Sequence, residues 1–362
     1  MTLTRRSFGS LLAAGAASHL APAAPFQDSG RRIGYCIVGL GRISMQHFMP
    51  ATRMSKRSRV TAIVSGHRDK AEKWAADYGV PARSIYSYEN YDAIAGNRDI
   101  DAVYIALPNS MHAEYTIRAA KAGKHVLSEK PMATTVADAQ AMVDACRKAN
   151  KKLMIAYRCQ YEGTNLRAIQ LIRDGKLGQI ESIESSNGFN IRAGEWRLNG
   201  KLAGRGPLMD MGIYSLNACR YLTGEEPVEV KGYSSVIDRD GRFNEVEENL
   251  AWTMRFPSGV VAACNTSYGA NLPGFYRVHG SKGMVHVEPA FGYDGLHLTA
   301  NINGEPHIDE PNPEKDPAQF PREADHLADC ILENKEPKTA GEEGLKDMKL
   351  MMEIYKSCGR RG

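Results

Sequence analysis

The sequence predicts a two-domain protein, with a doubly wound parallel α/β domain followed by an α+β domain that has a large, mostly antiparallel, open sheet. Three observations carry this prediction. Apolar runs alternate with helical segments in the first half, a Gly-x-Gly turn follows the first apolar run, and short alternating runs separated by turn residues fill the second half. A chain of 362 residues is long enough for two such domains.

The first residues predict an export signal. A twin-arginine pattern at 4–8 precedes an Ala-rich apolar stretch at 11–20 and a small-x-small cleavage site at 21–23. The apolar stretch is too short to span a bilayer core of ~30 Å. We therefore expect residues 1–24 to be a signal peptide, the folded protein to reach the periplasm, and the mature chain to have no membrane partner. The alternative is a disordered basic tail.

The net charge and the cysteine content bear on two kinds of ligand, nucleic acids and metal ions. The formal net charge is +4 with 24% charged residues and no long run of one sign, so we expect no nucleic-acid partner. The seven cysteines form no C-x-x-C motif and no metal-ligand spacing with histidine, so we expect no metal site. Because seven is odd, at least one thiol is unpaired within a monomer. Cys36, inside an apolar run, is expected to be a small buried hydrophobe.

The first element is a strand, turn and helix. The apolar run 33–38 predicts a strand, Gly39 and Gly41 a tight turn, and residues 45–54 a helix. In such a unit the first glycine permits the turn, the second lets backbone N–H groups approach a pyrophosphate, and the helix N-terminus adds partial positive charge. Ser44 stands where a third glycine or alanine is usual, so the motif needs support from its context.

The second strand indicates which dinucleotide is bound. It is predicted at 60–64 and ends about twenty residues after the turn, where a carboxylate would hold the ribose of NAD. No acid stands at this strand tip. Ser65, Arg68 and Lys70 could instead bind a 2′-phosphate by hydrogen bonds and charge. We therefore predict NADP; the alternative makes Arg68 and Lys70 the solvated start of a helix.

The alternation continues to the middle of the chain, with predicted strands at 102–107, 125–127 and 153–157 and predicted helices at 111–122 and 136–148. Ligands of parallel sheets bind beyond the carboxyl ends of the strands. Gly39, Ser65, Pro108 and Lys130 all fall at such ends. This convergence predicts a dinucleotide-binding Rossmann domain over 31–158.

The pattern changes in the second half. A helix predicted at 164–173 is followed by alternating apolar runs at 228–236, 250–256, 260–268, 276–280 and 284–287. Further helices are predicted at 208–222, 322–332 and 342–358. We therefore predict an α+β domain over 159–362, with one sheet face open for a substrate or a second subunit.

Asp210 and Tyr214 are candidate catalytic residues. They are four positions apart and would share one face of a helix. A phenol beside a lysine ammonium is a suitable base, because a cation lowers the pKa of tyrosine from its usual value of ~10. Lys130 would supply that cation if the two halves of the chain meet. The alternative is a buried tyrosine with a satisfied hydroxyl.

Motifs in both halves of the chain resemble the Gfo/Idh/MocA oxidoreductase family. They are Gly39-Leu40-Gly41, Leu107-Pro108-Asn109-Ser110-Met111-His112, Ser128-Glu129-Lys130-Pro131 and Gly206-x-x-x-Asp210-x-Gly212-x-Tyr214. The similarity runs from residue 33 to about residue 355 and is strongest to the periplasmic glucose-fructose and aldose-aldose oxidoreductases of this family. Many other members have histidine where this chain has Tyr214.

The resemblance implies a mechanism. Lys130 would contact the nicotinamide ribose and the substrate hydroxyl, Asp210 would orient a sugar, and Tyr214 would remove the proton of its C1 hydroxyl. Hydride would pass from C1 to the nicotinamide and leave a lactone. The residues then expected to bind the cofactor are Gly39, Gly41, Arg42, Ile43, Ser65, Gly66, Arg68, Lys70, Leu107, Pro108, Asn109, His112, Glu129, Lys130, Arg158, Trp196 and Arg197.

Export and a nicotinamide cofactor together imply how the cofactor is used. Because the periplasm has no supply of free NADP, we expect tightly bound NADP that one aldose reduces and a second sugar or carbonyl reoxidises. The alternatives are a glucose- or xylose-type dehydrogenase with exchangeable NADP, an NAD-dependent glycosidase of the same fold, and a non-catalytic sugar sensor. We expect a homodimer through the open sheet, with a tetramer as the alternative.

Overall fold

The computed structural model describes residues 30–312, 314 and 318–359. The predicted export signal lies outside these residues. Contacts divide the chain into residues 1–31 and residues 32–362, and the second unit contains both sheets described below. Within the described residues, no helix combines the length and the hydropathy that a membrane crossing needs.

The first sheet has six strands, all parallel to their neighbours, in the order β3-β2-β1-β4-β5-β6. They are β1 Ile33–Val38, β2 Ser58–Val64, β3 Ile85–Tyr86, β4 Ala102–Ile105, β5 His125–Glu129 and β6 Leu153–Ala156. Its helices are α1 Met49–Met54, α2 Arg68–Tyr78, α3 His112–Lys121 and α4 Val136–Lys148. Every residue of β1 is buried, as expected for a central strand covered on both faces. The predicted Rossmann sheet is confirmed.

The second sheet has eight strands in the order β14-β13-β12-β11-β7-β10-β9-β8. They are β7 Ile180–Gly188, β8 Glu229–Ser235, β9 Asn249–Arg255, β10 Val261–Ser267, β11 Leu272–Gly280, β12 Gly283–Val287, β13 His297–Ile302 and β14 Ile308–Pro311. All pairs are antiparallel except β7 with β10. Buried and exposed residues alternate along β9 and β10, so one face is packed and the other open. The predicted open sheet is confirmed.

The described residues contain five further α-helices: α5 Gly163–Arg173, α6 Gly200–Ala203, α7 Ile213–Thr223, α8 Gln319–Leu332 and α9 Gly341–Ser357. Helices α5, α7 and α9 contact strands of the second sheet. In the part of the chain that the structure describes, single π-helical turns occur at Ser44–Phe48 before α1 and at Leu208–Gly212 before α7. Such turns are frequent at functional sites, and each of these adjoins one of the predicted site motifs.

Strand β7 lies at the centre of the second sheet, although its polar sequence did not predict a strand. Two of its buried serines have hydrogen-bond partners. The Ser185 hydroxyl lies 2.8 Å from that of Ser215, and the Ser186 hydroxyl donates to the Asn265 side chain at 2.7 Å. Buried polar groups are tolerated when they are hydrogen-bonded, so a serine-rich segment can form a central strand here.

Helix α8 returns to the first sheet, which the predicted domain boundary at residue 158 did not anticipate. It packs against α1 and β2, and its residues Phe320, Ala324, Leu327 and Ala328 are fully buried in one hydrophobic cluster with Ile37. Their spacing gives one apolar helix face. The Rossmann core is therefore built from two distant parts of the chain.

Candidate active site

The glycine turn forms a cradle at the carboxyl end of β1. Gly39 has a φ of +95°, and a Cβ there would lie 2.6 Å from the Ala106 carbonyl oxygen, so only glycine fits. A Cβ on Gly41 would meet no atom closer than 4.0 Å. The Gly41 backbone therefore faces open space at the start of a helix, which fits the approach of a pyrophosphate.

Ser44, the unusual third residue of the motif, stabilises this turn. Its buried hydroxyl donates to the Gly39 carbonyl at 2.7 Å. A serine can thus replace the usual glycine or alanine because its hydroxyl finds a partner within the turn. Arg42 and Ile43, which stand between Gly41 and Ser44, are also predicted to bind the cofactor. Arg42 is exposed, and Ile43 packs on the hydrophobic cluster that contains Ile37.

The end of β2 lies beside the glycine turn. The ammonium of Lys70 donates to the Leu40 carbonyl at 2.5 Å, which brings a cation to the turn. The Ser65 hydroxyl is buried and accepts from the His67 amide at 3.1 Å, and a Cβ on Gly66 would lie 3.3 Å from the Tyr88 ring. These groups, with no acid at the strand tip, fit a 2′-phosphate.

Arg68 has a different place from Lys70. Its guanidinium forms an ion pair with Glu72 at 2.7 Å, and both side chains are more than half exposed. The alternative interpretation, a solvated helix start, therefore describes Arg68 but not Lys70.

The turns after β4 and β5 are joined by His112. Its ring nitrogens lie 2.9 Å from the carbonyl oxygens of Leu107 and Pro131, and the side chain is 1% exposed. Burial lowers the pKa of His112 although the two carbonyls oppose this effect. A neutral imidazole has one N–H, so His112 donates to one of these carbonyls and lies against the other, and the buried ring connects the two turns. The predicted contact of His112 with the cofactor stays a prediction.

The same two turns contain three further residues that are predicted to bind the cofactor, namely Pro108, Asn109 and Glu129. Asn109 is buried and donates to the Ala203 carbonyl at 2.9 Å, while Pro108 is partly exposed at the strand end. The Glu129 carboxylate accepts from the Tyr104 hydroxyl at 2.6 Å. Burial raises the pKa of Glu129, and the Tyr104 hydrogen bond and Lys130 oppose this.

Lys130 brings the two halves of the chain together. Its ammonium donates to the backbone oxygen of Asp210 at 2.6 Å and to the Asp210 carboxylate at 3.3 Å. The same ammonium lies 4.5 Å from the centre of the Tyr214 ring. The predicted cation, carboxylate and phenol therefore meet in one place.

Asp210 is held by three donors. Besides Lys130, the guanidinium of Arg197 and the hydroxyl of Tyr268 each donate to its second oxygen at 2.9 Å. Burial would raise the pKa of Asp210, but the two cations and the Tyr268 hydrogen bond together hold it below its usual value. Asp210 is thus an ionised carboxylate at neutral pH.

Trp196 and Arg197, both expected to enclose the cofactor, lie together at the edge of this site. The guanidinium of Arg197 is 4.8 Å from the Trp196 ring and bonds to Asp210 on its other side. Arg197 therefore connects the partly exposed indole with the Asp210 carboxylate.

Arg158 lies beside Tyr214 and is 5% exposed. Its guanidinium is 5.1 Å from the Tyr214 ring and 4.3 Å from the Tyr293 ring. It donates to the Phe291 and Gly292 carbonyls and to the Gln319 side chain. Arg158 thus supports the wall of the site next to the phenol.

The expected lowering of the pKa of Tyr214 is wrong for the protein alone. Burial raises its pKa, and Arg158 opposes this only in part. The guanidinium of Arg158, rather than the Lys130 ammonium, is thus the cation that favours the phenolate. The phenol is protonated at neutral pH in this state.

Three tyrosines at the site were not predicted. Tyr268 holds Asp210, Tyr293 packs on Arg158, and Tyr88 lies against Gly66. Tyr268 ends an alternating run and Tyr293 lies in a loop, so no spacing in the sequence indicates either contact. Cys36 is fully buried, and burial raises the pKa of its thiol, as expected for a small hydrophobe.

Known protein families match both parts of the chain. A family described as oxidoreductases with an NAD-binding Rossmann fold matches residues 33–157, and the Gfo/Idh/MocA C-terminal domain matches residues 165–286. The crystal structure of an aldose-aldose oxidoreductase from Caulobacter crescentus, complexed with glycerol, is 46% identical with a TM-score of 0.87, covering 91% of this chain and 98% of that one.

Two further relatives are D-xylose 1-dehydrogenases whose names specify NADP(+). That of Haloarcula marismortui is 34% identical over 90% of this chain and 91% of its own length. That of Haloferax volcanii is 29% identical over 89% of this chain and 96% of its own length. The predicted fold and enzyme class are confirmed, and the predicted cofactor agrees with these relatives. The chain belongs to the Gfo/Idh/MocA oxidoreductase family.

Proposed function

We propose that this protein is a periplasmic sugar oxidoreductase that retains NADP, oxidises an aldose at C1 to the lactone, and passes the hydride to a second sugar or carbonyl. The observation that carries the proposal is the Lys130 ammonium, 4.5 Å from the Tyr214 ring and hydrogen-bonded to Asp210. A cation, a phenol and a carboxylate together can bind an alcohol and remove its proton.

Each residue has a defined task in this proposal. The Lys130 ammonium donates to the C1 oxygen of the sugar and stabilises the negative charge that develops there. The phenolate form of Tyr214 accepts the hydroxyl proton, and the raised pKa of this phenol is suited to returning that proton to a carbonyl in the second half-reaction. Asp210 fixes the positions of Lys130 and Arg197. NADP, when bound, accepts the hydride and returns it.

The choice of NADP rests on the strand end beside the glycine turn. The Lys70 ammonium lies at the Leu40 carbonyl and Ser65 closes the strand. Export rests on the sequence alone, namely the twin-arginine pattern at 4–8, the apolar stretch at 11–20 and the cleavage site at 21–23. Retention of the cofactor follows from export, since a folded protein that leaves the cytoplasm must carry its NADP with it.

A second candidate function has support from the relatives. The two haloarchaeal proteins are named as NADP-dependent xylose dehydrogenases, so an enzyme of that type with exchangeable cofactor is the alternative. The two candidates share the oxidation of an aldose at C1 and differ in whether the cofactor leaves between turnovers.

The test uses the exported protein as purified, without added cofactor. We expect mass spectrometry after denaturation to find one NADP per chain, and glucose or xylose to produce the absorbance band of reduced nicotinamide in the intact protein. Fructose or another carbonyl compound should then abolish that band. A protein that contains no nicotinamide but oxidises xylose with added NADP would support the exchangeable dehydrogenase. Reduction by no sugar would contradict both, and sugar release from an aryl glycoside would indicate a glycosidase.

We also propose a homodimer through the open face of the second sheet. Val261 and Ala263 are exposed on β10, in the middle of this face, and Tyr233 on the edge strand β8 is 86% exposed. Exposed apolar side chains on an open sheet face are suited to contact with a second subunit. We expect light scattering to give the mass of a dimer, and the double variant Val261→Glu, Ala263→Glu to give that of a monomer. Lys73→Glu, on helix α2, is the control. A monomeric unsubstituted protein would contradict the proposal.

A further inference from the structure

Arg158 is a buried cation whose hydrogen-bond acceptors, among the described residues, are all neutral. It is 5% exposed, and its terminal nitrogens donate to the Phe291 carbonyl at 2.6 Å, the Gly292 carbonyl at 2.8 Å and the Gln319 side chain at 2.8 Å. Its Nε atom is buried without a partner in that part of the chain. Because a buried charge is costly unless it is paired, the neutral surroundings of Arg158 call for an explanation.

Arg220 provides a comparison within the same chain. It is equally buried, at 5% exposed, but it forms ion pairs with Glu226, Glu343 and Asp347 at 2.7, 2.8 and 2.6 Å. Neutral surroundings are therefore not a general property of buried arginines in this protein. A fixed cation at a reaction site is well suited to a negative charge that exists only during the reaction.

The phenol of Tyr214 is the group beside Arg158 that becomes negative in the proposed reaction. The guanidinium carbon lies 5.1 Å from the centre of the Tyr214 ring. The Lys130 ammonium lies 4.5 Å from the same ring, but it is hydrogen-bonded to the Asp210 carboxylate at 3.3 Å, which balances its charge. The charge of Arg158 is thus the one left to balance a phenolate.

We propose that Arg158 is the counter-ion of the Tyr214 phenolate and acts on the reaction through Tyr214, as a positioning residue. An opposite charge at this distance favours the ionised form of a group, and exclusion of water strengthens the attraction. The inference rests on the proposed function, since only a tyrosine that acts as a base needs such a counter-ion. The other ionisable groups that face Tyr214 or Arg158 are Glu129, Lys130, Cys159, Asp210, Tyr293 and Glu323.

The phenolate is formed once and restored in each cycle. Before the first sugar reacts, the O–H bond of Tyr214 breaks and its proton goes to water, since this side chain is partly exposed in the site. The phenolate then takes the proton of the C1 hydroxyl, while the C1–H bond breaks and hydride goes to the bound cofactor. In the second half-reaction the acceptor carbonyl takes the hydride at carbon and the Tyr214 proton at oxygen, which restores the phenolate beside Arg158.

Three variants separate the charge of Arg158 from its packing. Arg158→Gln keeps an N–H donor for the loop carbonyls but has no charge, whereas Arg158→Lys keeps the charge. Gln319→Glu leaves Arg158 in place and gives it a carboxylate partner, because the Gln319 side chain lies 2.8 Å from the guanidinium. We expect Arg158→Gln and Gln319→Glu to slow sugar-driven cofactor reduction at neutral pH by about tenfold or more, and Arg158→Lys to slow it less. Gln170→Glu, at an exposed glutamine of α5, is the matched control.

Fluorine NMR measures the ionisation of the phenol without turnover. Tyr214→difluorotyrosine gives a fluorine signal at this position and a more acidic phenol, and it is titrated in the holoprotein without sugar. We expect Arg158→Gln and Gln319→Glu each to move the ionisation to higher pH by about one pH unit or more, and Arg158→Lys to move it less. The more acidic phenol should also restore much of the rate that Arg158→Gln loses at neutral pH, whereas it would not repair a packing defect.

The outcomes distinguish the counter-ion role from the proposed function. An ionisation that neither Arg158→Gln nor Gln319→Glu moves, or an equal movement in Arg158→Gln and Arg158→Lys, overturns the counter-ion role alone. If Arg158→Gln does not fold, the titration of the Gln319→Glu protein decides by itself, because Arg158 and its loop contacts remain. Failure of every sugar to reduce the cofactor, with the expected NMR changes present, overturns the proposed function rather than the pairing of Arg158 with Tyr214.

Discussion

Replacement of Lys130 by methionine is expected to slow sugar-driven reduction of the bound cofactor by about 10²–10⁴-fold. Methionine keeps an unbranched side chain but removes the ammonium that lies between Asp210 and Tyr214. The sugar oxygen then loses the donor that stabilises its developing charge. The measurement is the single-turnover rate of appearance of reduced nicotinamide after glucose or xylose is mixed with the holoenzyme.

The control for this variant is Lys121→Met. Lys121 is an exposed lysine at the end of α3, away from the site, and its replacement should leave the rate unchanged. NADP released on denaturation should be equal in both variants and the unsubstituted protein, because the glycine turn and Lys70 remain. A Lys130→Met protein that reduces its cofactor at the unsubstituted rate would remove the proposed mechanism.

Tyr214→Phe is expected to slow the same step by about 10²–10⁴-fold, the usual contribution of a general base. The ring remains packed between Arg158 and Lys130, so folding and cofactor content should change little. The pH dependence distinguishes a chemical role from a packing role. Because burial raises the pKa of Tyr214, the reactive phenolate becomes more abundant as pH increases, and the unsubstituted rate should increase through neutral and alkaline pH. The Tyr214→Phe protein should lose that slope.

Tyr78→Phe provides the matched control, since Tyr78 lies on α2, where its ring contacts Arg53. We expect neither its rate nor its pH profile to differ from those of the unsubstituted protein. If Tyr214→Phe keeps the rising pH profile, the titrating group is another residue, and Tyr214 has only the role of a buried aromatic side chain.

Most of the first sheet was predictable because its strands are buried on both faces and therefore read as continuous apolar runs. Strand β7 was not, because its buried serines find partners on α7, β10 and β11, far along the chain. The packing of α8 on the first sheet was not predictable for the same reason, because its partners are also far away in the chain. Its apolar spacing identifies a helix, but nothing in the spacing says that this face packs on a sheet formed some 160 residues earlier, as the position of Phe320 relative to Ala156 shows.

The candidate site was predictable where a sequence motif identifies a functional side chain. Lys130, Asp210 and Tyr214 were chosen from their motifs, and the fold brings them together. The expected lowering of the pKa of Tyr214 was wrong. The sequence indicates which charged residues are present but not how completely the phenol is shielded from water. Burial of Tyr214 outweighs the neighbouring guanidinium of Arg158.

The return of α8 to the first sheet has a consequence for the order in which the protein matures. Phe320 and Ala324 complete the cluster beneath the glycine turn, and they are synthesised more than 160 residues after Ala156, which belongs to the same cluster. The nascent first sheet therefore lacks part of its hydrophobic support until α8 has been made. Stable loading of the dinucleotide must wait until α8 packs on this sheet, so a loaded holoprotein is a sign that both parts of this core have folded.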